Sequence, residues 1–589
     1  MQKSLKVGAA LSAVLILVLT GCGQKPPAST GPKGPSPASQ AWAKLTAGFI
    51  ESYLMARPFF AAQSGRHEFD GQLPDVSNHG IRREIARLHD QRDQLNAVDP
   101  KTLEPRERFD REYLLAVVDK DLFWMEKAKF PFSNPAWYSD KLDPDMYLNR
   151  NYAPLEVRMK AFVKYARGIP RMVDDIKANL LSQSPLPKTY VELGIAQYGG
   201  FAEFYKKDVV AAFASVSDHE LHNQLEAATA AAAQAMDALK QTLEAERSKA
   251  TDKFALGPDL YAQMLAQTES VTLSIDQIEA AGRADLERNT AAVKTECATY
   301  APKSSLAQCV AKVSAHKPKE GAVEDAREQL VSLKEFVIAN KVVSIPGTDE
   351  AMVAEAPPYN RSNAAFIQVP GPYDKGVMSV YNIAPPDPKW SKTEQAAYIP
   401  SEASLLFTSV HEVWPGHFLQ FLHSNANPSK LEGLWVGYAF AEGWAHYCEE
   451  MMIEKGLGKG DPEKHIGQIM DALLRDVRLL SSIGLHTHGM TVAQSEKMFR
   501  EQAFQDPGNA RQQAARGTYD PAYLNYTLGK LMIRKLRADW VAKHAAAGGA
   551  APGDDQSLWY DFHNEFLSYG GPPIPLLRKE MLGEEGALL

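Results

Sequence analysis

A mainly α fold, a large two-lobed helical bundle with a cleft and a small β element, is what this chain of 589 residues predicts. Apolar residues recur at helical spacing in segment after segment. One of those segments, 219–249, is built almost wholly from strong helix formers around AATAAAAQAMDALKQTLEAE. Between 342 and 389 the pattern stops, Pro becomes frequent (Pro346, Pro357, Pro358, Pro370, Pro372), and FIQVPG and MSVYN alternate in the manner of strands. Taken in order, the spacing predicts helices over 42–60, ending at Arg57-Pro58, then over 81–95, 106–123, 156–181, 190–210, 219–249, 275–295 and 324–340. The interruption reads either as a small sheet beside the cleft or as an irregular loop. Helices resume at Glu402 and run to the end. The expected division is into lobes of about 41–323 and 324–589, the second carrying the chemistry and the first forming the other cleft wall.

The N-terminus is an export segment. Lys3 and Lys6 precede an apolar run over 7–19, and Leu19-Thr20-Gly21-Cys22 closes it. A membrane-crossing helix needs about 20 apolar residues, so residues 1–21 read as a cleaved signal. Cys22 directly after Leu-Thr-Gly resembles a bacterial lipobox, in which that Cys is lipidated and becomes the new N-terminus. Gly23-Gln24 lacks the Asp that resembles an inner-membrane retention signal. The expectation is therefore an outer-membrane lipoprotein facing the periplasm, attached to the membrane through Cys22. Residues 22–40 are rich in Pro, Ser and Gly, cannot bury a core, and read as a tether.

Composition limits the partners. Hydrophobic residues make up 45% and charged residues 23%, as in ordinary globular proteins. The formal net charge of −8, with no Lys/Arg cluster and no aromatic platform, argues against nucleic acid. Three Cys follow Cys22. Cys297 and Cys309 are either two free thiols or, in an oxidising compartment, a local bridge stabilising by roughly 3 kcal/mol. Cys448 reads as a buried small residue rather than a nucleophile or ligand.

The chemistry concentrates at His411-Glu412-Val413-Trp414-Pro415-Gly416-His417, followed 25 residues later by Glu442 in AEGWAHY. Two imidazoles and a later carboxylate are the ligand set of a catalytic zinc. A Glu directly after the first His is where zinc peptidases keep their base. The spacing departs from the usual one. Six residues on a regular helix turn through about 240°, so His417 would face away from His411. Pro415 argues against a regular helix, because its ring clashes with the carbonyl of His411. A break at Trp414-Pro415-Gly416 would bring the two imidazoles together. His446, one helical turn after Glu442, is a rival as ligand, substrate contact or supporting partner. Glu449 and Glu450 either orient a ligand imidazole or form a solvated acidic patch. Arg478 reads equally as an anchor for a substrate carboxylate and as a structural ion pair.

HEVWPGHFLQ, AEGWAHYCEE, RLLSSIGLHTHGMT and LNYTLGKLMIRKLR, in that order, resemble the bacterial domain-of-unknown-function family 885. ARPFFAAQSGRHEFDGQLPDVS resembles that family's start, so the likeness runs from about Trp42 onward. What it implies is a largely helical fold with a zinc-peptidase-like centre, similar in plan to the helical metallopeptidases around thimet oligopeptidase. It favours Glu442 over His446 as the third ligand. It also implies oxyanion-stabilising roles for His486, with His488 beside it, and for Tyr526. The chain departs from the family pattern at Ser482, where an Asp is usual.

The combined expectation is a zinc peptidase acting on short peptides, with Zn2+ on His411, His417 and Glu442, Glu412 as base, and His486 and Tyr526 as oxyanion donors. Two other classes fit the same residues: a zinc-dependent hydrolase of non-peptide amides or esters, and a non-catalytic periplasmic binding or scaffold lipoprotein. An intact Glu412 is needed only for hydrolysis.

Overall fold

The computed structural model describes residues 36–356, 361, 364–547 and 555–589. The signal segment and Cys22 lie outside them. The first helix, Pro37–Ala56, starts inside the segment expected as tether, with Ser36 accepting from the Ser39 amide at its N-cap. It ends, as Pro58 requires, at Ala56.

The later helices follow the apolar periodicity closely. They span Asn78–Asn96, Pro105–Leu122, Leu155–Leu181, Lys188–Ala212, His219–Glu246, Ile275–Tyr300 and Ala322–Ala339. Their starts carry the signals that terminate helices at predictable places. Glu104 and Glu107 form a reciprocal capping box in front of Pro105, Asp218 accepts from the Leu221 amide, and Ser274 and Gln277 form another box. Helices Pro258–Glu269 and Leu306–Ala315 add to those the periodicity singles out. Cys297 and Cys309 form a disulfide that ties Leu306–Ala315 back to Ile275–Tyr300.

The interruption is a sheet. Strands β1 (Ala351–Glu355), β2 (Ala365–Gln368) and β3 (Ser379–Ile383) lie in the order β1-β3-β2, β1 parallel and β2 antiparallel to β3. Val353 and Ile367 flank Tyr381, which is fully buried. β2 is an edge strand and packs beside the helix that carries His411.

The buried core falls into several clusters, one of which joins Trp42 and Tyr113 to Leu434 and Trp435 across the chain. Another joins side chains from Phe59 to Leu243, around Phe162, Tyr165, Tyr198 and Tyr205. A larger one takes in Phe123 and then runs from the helix Pro258–Glu269 onward, including Trp414, Phe440, Trp444 and Phe566. The helix Ile275–Tyr300 therefore belongs with the C-terminal half. Its Gly282 lies so close to Leu479 that a Cβ there would meet Cδ2 at 2.4 Å. Polar contacts join the halves beside the site: Tyr190 donates to the Thr518 carbonyl and Asn134 to the Tyr519 carbonyl, both at 2.9 Å.

Candidate metal centre

Ser401 caps a helix, Glu402–Glu412, that runs buried up to His411 and Glu412. The helix stops there, and a second one starts at His417 and runs to Ala426. Between them the Trp414–Pro415 peptide is cis, and Gly416 donates to the Val410 carbonyl at 3.0 Å. A Cβ on Gly416 would lie 1.8 Å from the His411 carbonyl oxygen, so only glycine permits this fold-back. Trp444, from the helix Tyr438–Glu454, holds the turn by donating its indole N–H to the Pro415 carbonyl at 2.9 Å. The break brings the His411 and His417 rings to 4.8 Å, perpendicular to each other.

Glu442 comes from the helix Tyr438–Glu454. That helix crosses Asn525–Ala547 through facing glycines. A Cβ on Gly529 would meet the Ala439 carbonyl oxygen at 2.2 Å, and one on Gly443 would meet the Gly529 backbone at 2.6 Å. This close crossing sets Glu442 near Tyr526, whose ring stacks on His411 at 6.3 Å.

The Glu442 Oε2 atom lies 3.3 Å from His411 Nε2 and 3.4 Å from His417 Nε2. These contacts are long for charge-assisted hydrogen bonds, and Oε2 is a buried atom with no hydrogen bond of proper geometry. They do match a tetrahedral zinc: ligand distances of about 2.0–2.1 Å give ligand–ligand separations of about 3.3–3.4 Å. His411, His417 and Glu442 form the group among the described residues whose ligand atoms converge, all lying within 4.8 Å. The donor set and its spacing therefore fit zinc. His417 and Glu442 keep 12% and 20% of their side-chain surface exposed.

Behind the ligands lies a buried salt-bridged support. His411 Nδ1 donates to Glu449 Oε1 at 2.6 Å, which leaves Nε2 for the metal side. Arg475 reaches the same oxygen at 2.9 Å, and His446 Nδ1 contacts Glu449 Oε2 at 3.2 Å. Burial raises Glu449, but Arg475 and the two imidazoles overcome it and hold the carboxyl well below its usual range. Burial lowers His411, yet the adjacent Glu442 and Glu449 carboxylates lift it to about 9 in the metal-free chain. Burial and the nearby Lys530 push His446 down to about 3. His446 thus stands behind Glu449, outside the converging set. Glu450 turns away to Arg288, Arg534 and Lys530.

The Glu412 side chain is buried next to His411 and, among the described residues, forms no ion pair or hydrogen bond. Tyr526 is buried against Arg478, whose Cζ lies 4.7 Å from its ring centroid. Burial, and then the charge of Glu442, raise the Tyr526 phenol, so it stays protonated and able to donate.

The expectation for His486 is corrected. Its Nδ1 accepts from the Leu256 amide at 3.2 Å and its Nε2 donates to the Gly517 carbonyl at 2.8 Å. Both nitrogens are spent on main chain, the ring packs against Tyr261 and Phe254, and burial lowers it to about 4. No donor remains for an oxyanion; His486 ties three elements together. His488 is exposed and pairs with Glu279 at 2.9 Å. Ser482 donates to the Pro521 carbonyl at 2.6 Å and contacts the Tyr261 hydroxyl at 2.8 Å. Cys448 is a buried free thiol.

Arg475, Tyr438 and Arg516 also border the site, although no motif marks them. Arg516 donates to the Tyr438 hydroxyl at 3.0 Å and pairs with Asp520 at 2.9 Å. Glu449 does have a signal: seven residues after Glu442 is about 700° of helix, within about 20° of the same face.

The whole architecture recurs in solved structures. A candidate lipoprotein of unknown function from Shewanella oneidensis aligns over 92% of this chain and 99% of its own, with a TM-score of 0.73 and 24% identity. One from Colwellia psychrerythraea aligns over 93% and 99%, with a TM-score of 0.76 and 16% identity. No curated protein matches the chain. The model of the bacterial proteins of unknown function DUF885 matches residues 58–581, nearly the whole described fold and every residue of the His/His/Glu centre, and the chain belongs to that family.

Proposed function

We propose that this protein is a lipid-anchored zinc-dependent hydrolase of the periplasm that cleaves short peptides. The observation that carries the reading is the convergence of His411, His417 and Glu442, with Glu442 Oε2 at tetrahedral spacing from both imidazoles and, among the described residues, an unpaired Glu412 side chain directly after His411. His411, His417 and Glu442 hold the metal, and Glu449 fixes the tautomer of His411. When bound, zinc polarises the scissile carbonyl and acidifies the attacking water. Glu412 accepts the proton of that water and delivers it to the leaving amine. Tyr526 donates its phenolic hydrogen to the oxygen on which negative charge develops. The edge strand β2 beside the His411 helix offers main-chain partners to an extended substrate.

The lipobox at Cys22 supports the anchor, as does the description of both structural relatives as candidate lipoproteins. Among the described residues no helix is long and apolar enough to cross a membrane.

The test is zinc content and turnover on the same preparations. Native protein should carry about one zinc per chain, and His417→Ala should lose it. Glu412→Gln should keep zinc and fold, and lose turnover of the best peptide from a library by at least ~100-fold. Unchanged turnover in Glu412→Gln overturns the mechanism, and a zinc-loaded native protein that cleaves no peptide overturns the assignment.

A further inference from the structure

Three arginines surround Tyr526 beside the centre, and two of them are matched by acids. Arg475 pairs with Glu449 at 2.9 Å and Asp471 at 3.8 Å, and Arg516 with Asp520 at 2.9 Å. Arg478 is different. It is 8% exposed, and its Nε donates to the amide oxygen of Gln513 at 2.9 Å. Among the described residues no carboxylate lies within 4.0 Å of it, and its two terminal nitrogens are not sealed in protein as Arg475 Nη1 is. Burial, together with repulsion from Arg516 and Arg475, lowers its pKa. A buried cation without a counter-ion is costly, and a guanidinium with its terminal nitrogens open is shaped to take a carboxylate by two parallel hydrogen bonds. Its position is also suggestive. The guanidinium lies 4.7 Å over the Tyr526 ring, against which His411 also stacks, at 6.3 Å. An anion held there is separated from the His/His/Glu centre by one aromatic ring. Two nearby carboxylates that would instead favour a substrate amine are taken: Glu449 by His411, His446 and Arg475, and Asp520 by Arg516 and Tyr438.

We propose that Arg478 receives the free C-terminal carboxylate of the peptide, so that the site works at the C-terminal end of its substrates rather than at internal bonds or the amino end. The placement beside the centre rests on the hydrolase reading; the anion subsite itself does not.

The experiment is calorimetric binding of N-acetylated Ala-Ala-Leu as the free acid and as the C-terminal amide. The proteins are native, Arg478→Ala and Arg478→Lys, each in chelator and again with zinc. On native protein the acid should bind roughly tenfold or more tightly than the amide, the usual scale for hydrogen bonds to a charged partner. Arg478→Ala should erase that ratio and Arg478→Lys should restore part of it, with zinc content unchanged. The acid/amide comparison on native protein needs no variant, so it stands even if Arg478→Ala fails to fold. Equal binding of acid and amide overturns the proposal, as does a ratio that survives in Arg478→Ala, a preference for peptides with a free amine, or internal cleavage indifferent to amidation. The acid preference without any turnover supports the subsite and overturns the hydrolase reading instead.

Discussion

Glu449 shows how a single buried carboxylate organises the centre. It receives His411 on one oxygen, together with Arg475, and His446 on the other, and it is completely buried. Its charge is needed twice, to keep His411 with its proton on Nδ1 and to neutralise Arg475. Glu449→Gln should weaken zinc binding by roughly 10- to 100-fold, measured by competition with a chromogenic chelator. It should also destabilise the fold by about 3–5 kcal/mol, because Arg475 then loses its nearest counter-ion, as a thermal melt in chelator would show. Zinc affinity unchanged while the melt falls would make Glu449 a fold residue only. The sequence offers Glu449 and Glu450 as equals, and helix phase separates them. Glu449 shares the face of Glu442, whereas Glu450 points to Arg288 and Arg534.

At the scale of elements, the centre depends on two places where backbones come closer than any side chain allows. One is the fold-back at Gly416 against the His411 carbonyl, and the other is the crossing of Gly443 with Gly529. The first corrects the six-residue spacing of the His pair, which a continuous helix would point apart. Gly416→Ala should push His417 away from His411, lose zinc stoichiometry and lower the melting temperature, since overpacking of this kind costs about 1–3 kcal/mol. Gly200→Ala is the control. It lies in the helix Lys188–Ala212 with open space where the Cβ would go, and should be neutral or stabilising by up to about 1 kcal/mol. Full zinc occupancy in Gly416→Ala would refute the tight-turn account.

For the whole molecule, Tyr190 and Asn134 hydrogen-bond to the carbonyls of residues 518 and 519, so the N-terminal half braces the segment that carries Arg516 and Asp520. The expected attachment is at the other end of the chain. Cys22→Ser should move the protein from the membrane to the soluble or uncleaved fraction, because acyl chains would be its strong membrane contact. Fractionation at high salt checks this, and a Cys22→Ser protein that still sediments with membranes would refute the lipobox reading.

What the sequence determined by itself is everything governed by short range. Helix existence follows from apolar periodicity and capping residues, the strands from alternation, and the break at Trp414-Pro415-Gly416 from the steric demands of Pro. The candidate ligands follow from residue type and order. What only the tertiary structure decided is which groups have partners. His486 and Arg478 lie two helical turns apart on one helix, and nothing local separates a spent His from an unpaired Arg. The Leu256 amide and the Gly517 carbonyl, 230 and 31 residues away in the chain, consume the imidazole. Among the described residues the guanidinium meets the Gln513 amide and an aromatic ring, with no carboxylate. Hydrogen-bond satisfaction is settled by long-range neighbours, and so is the availability of a side chain for chemistry.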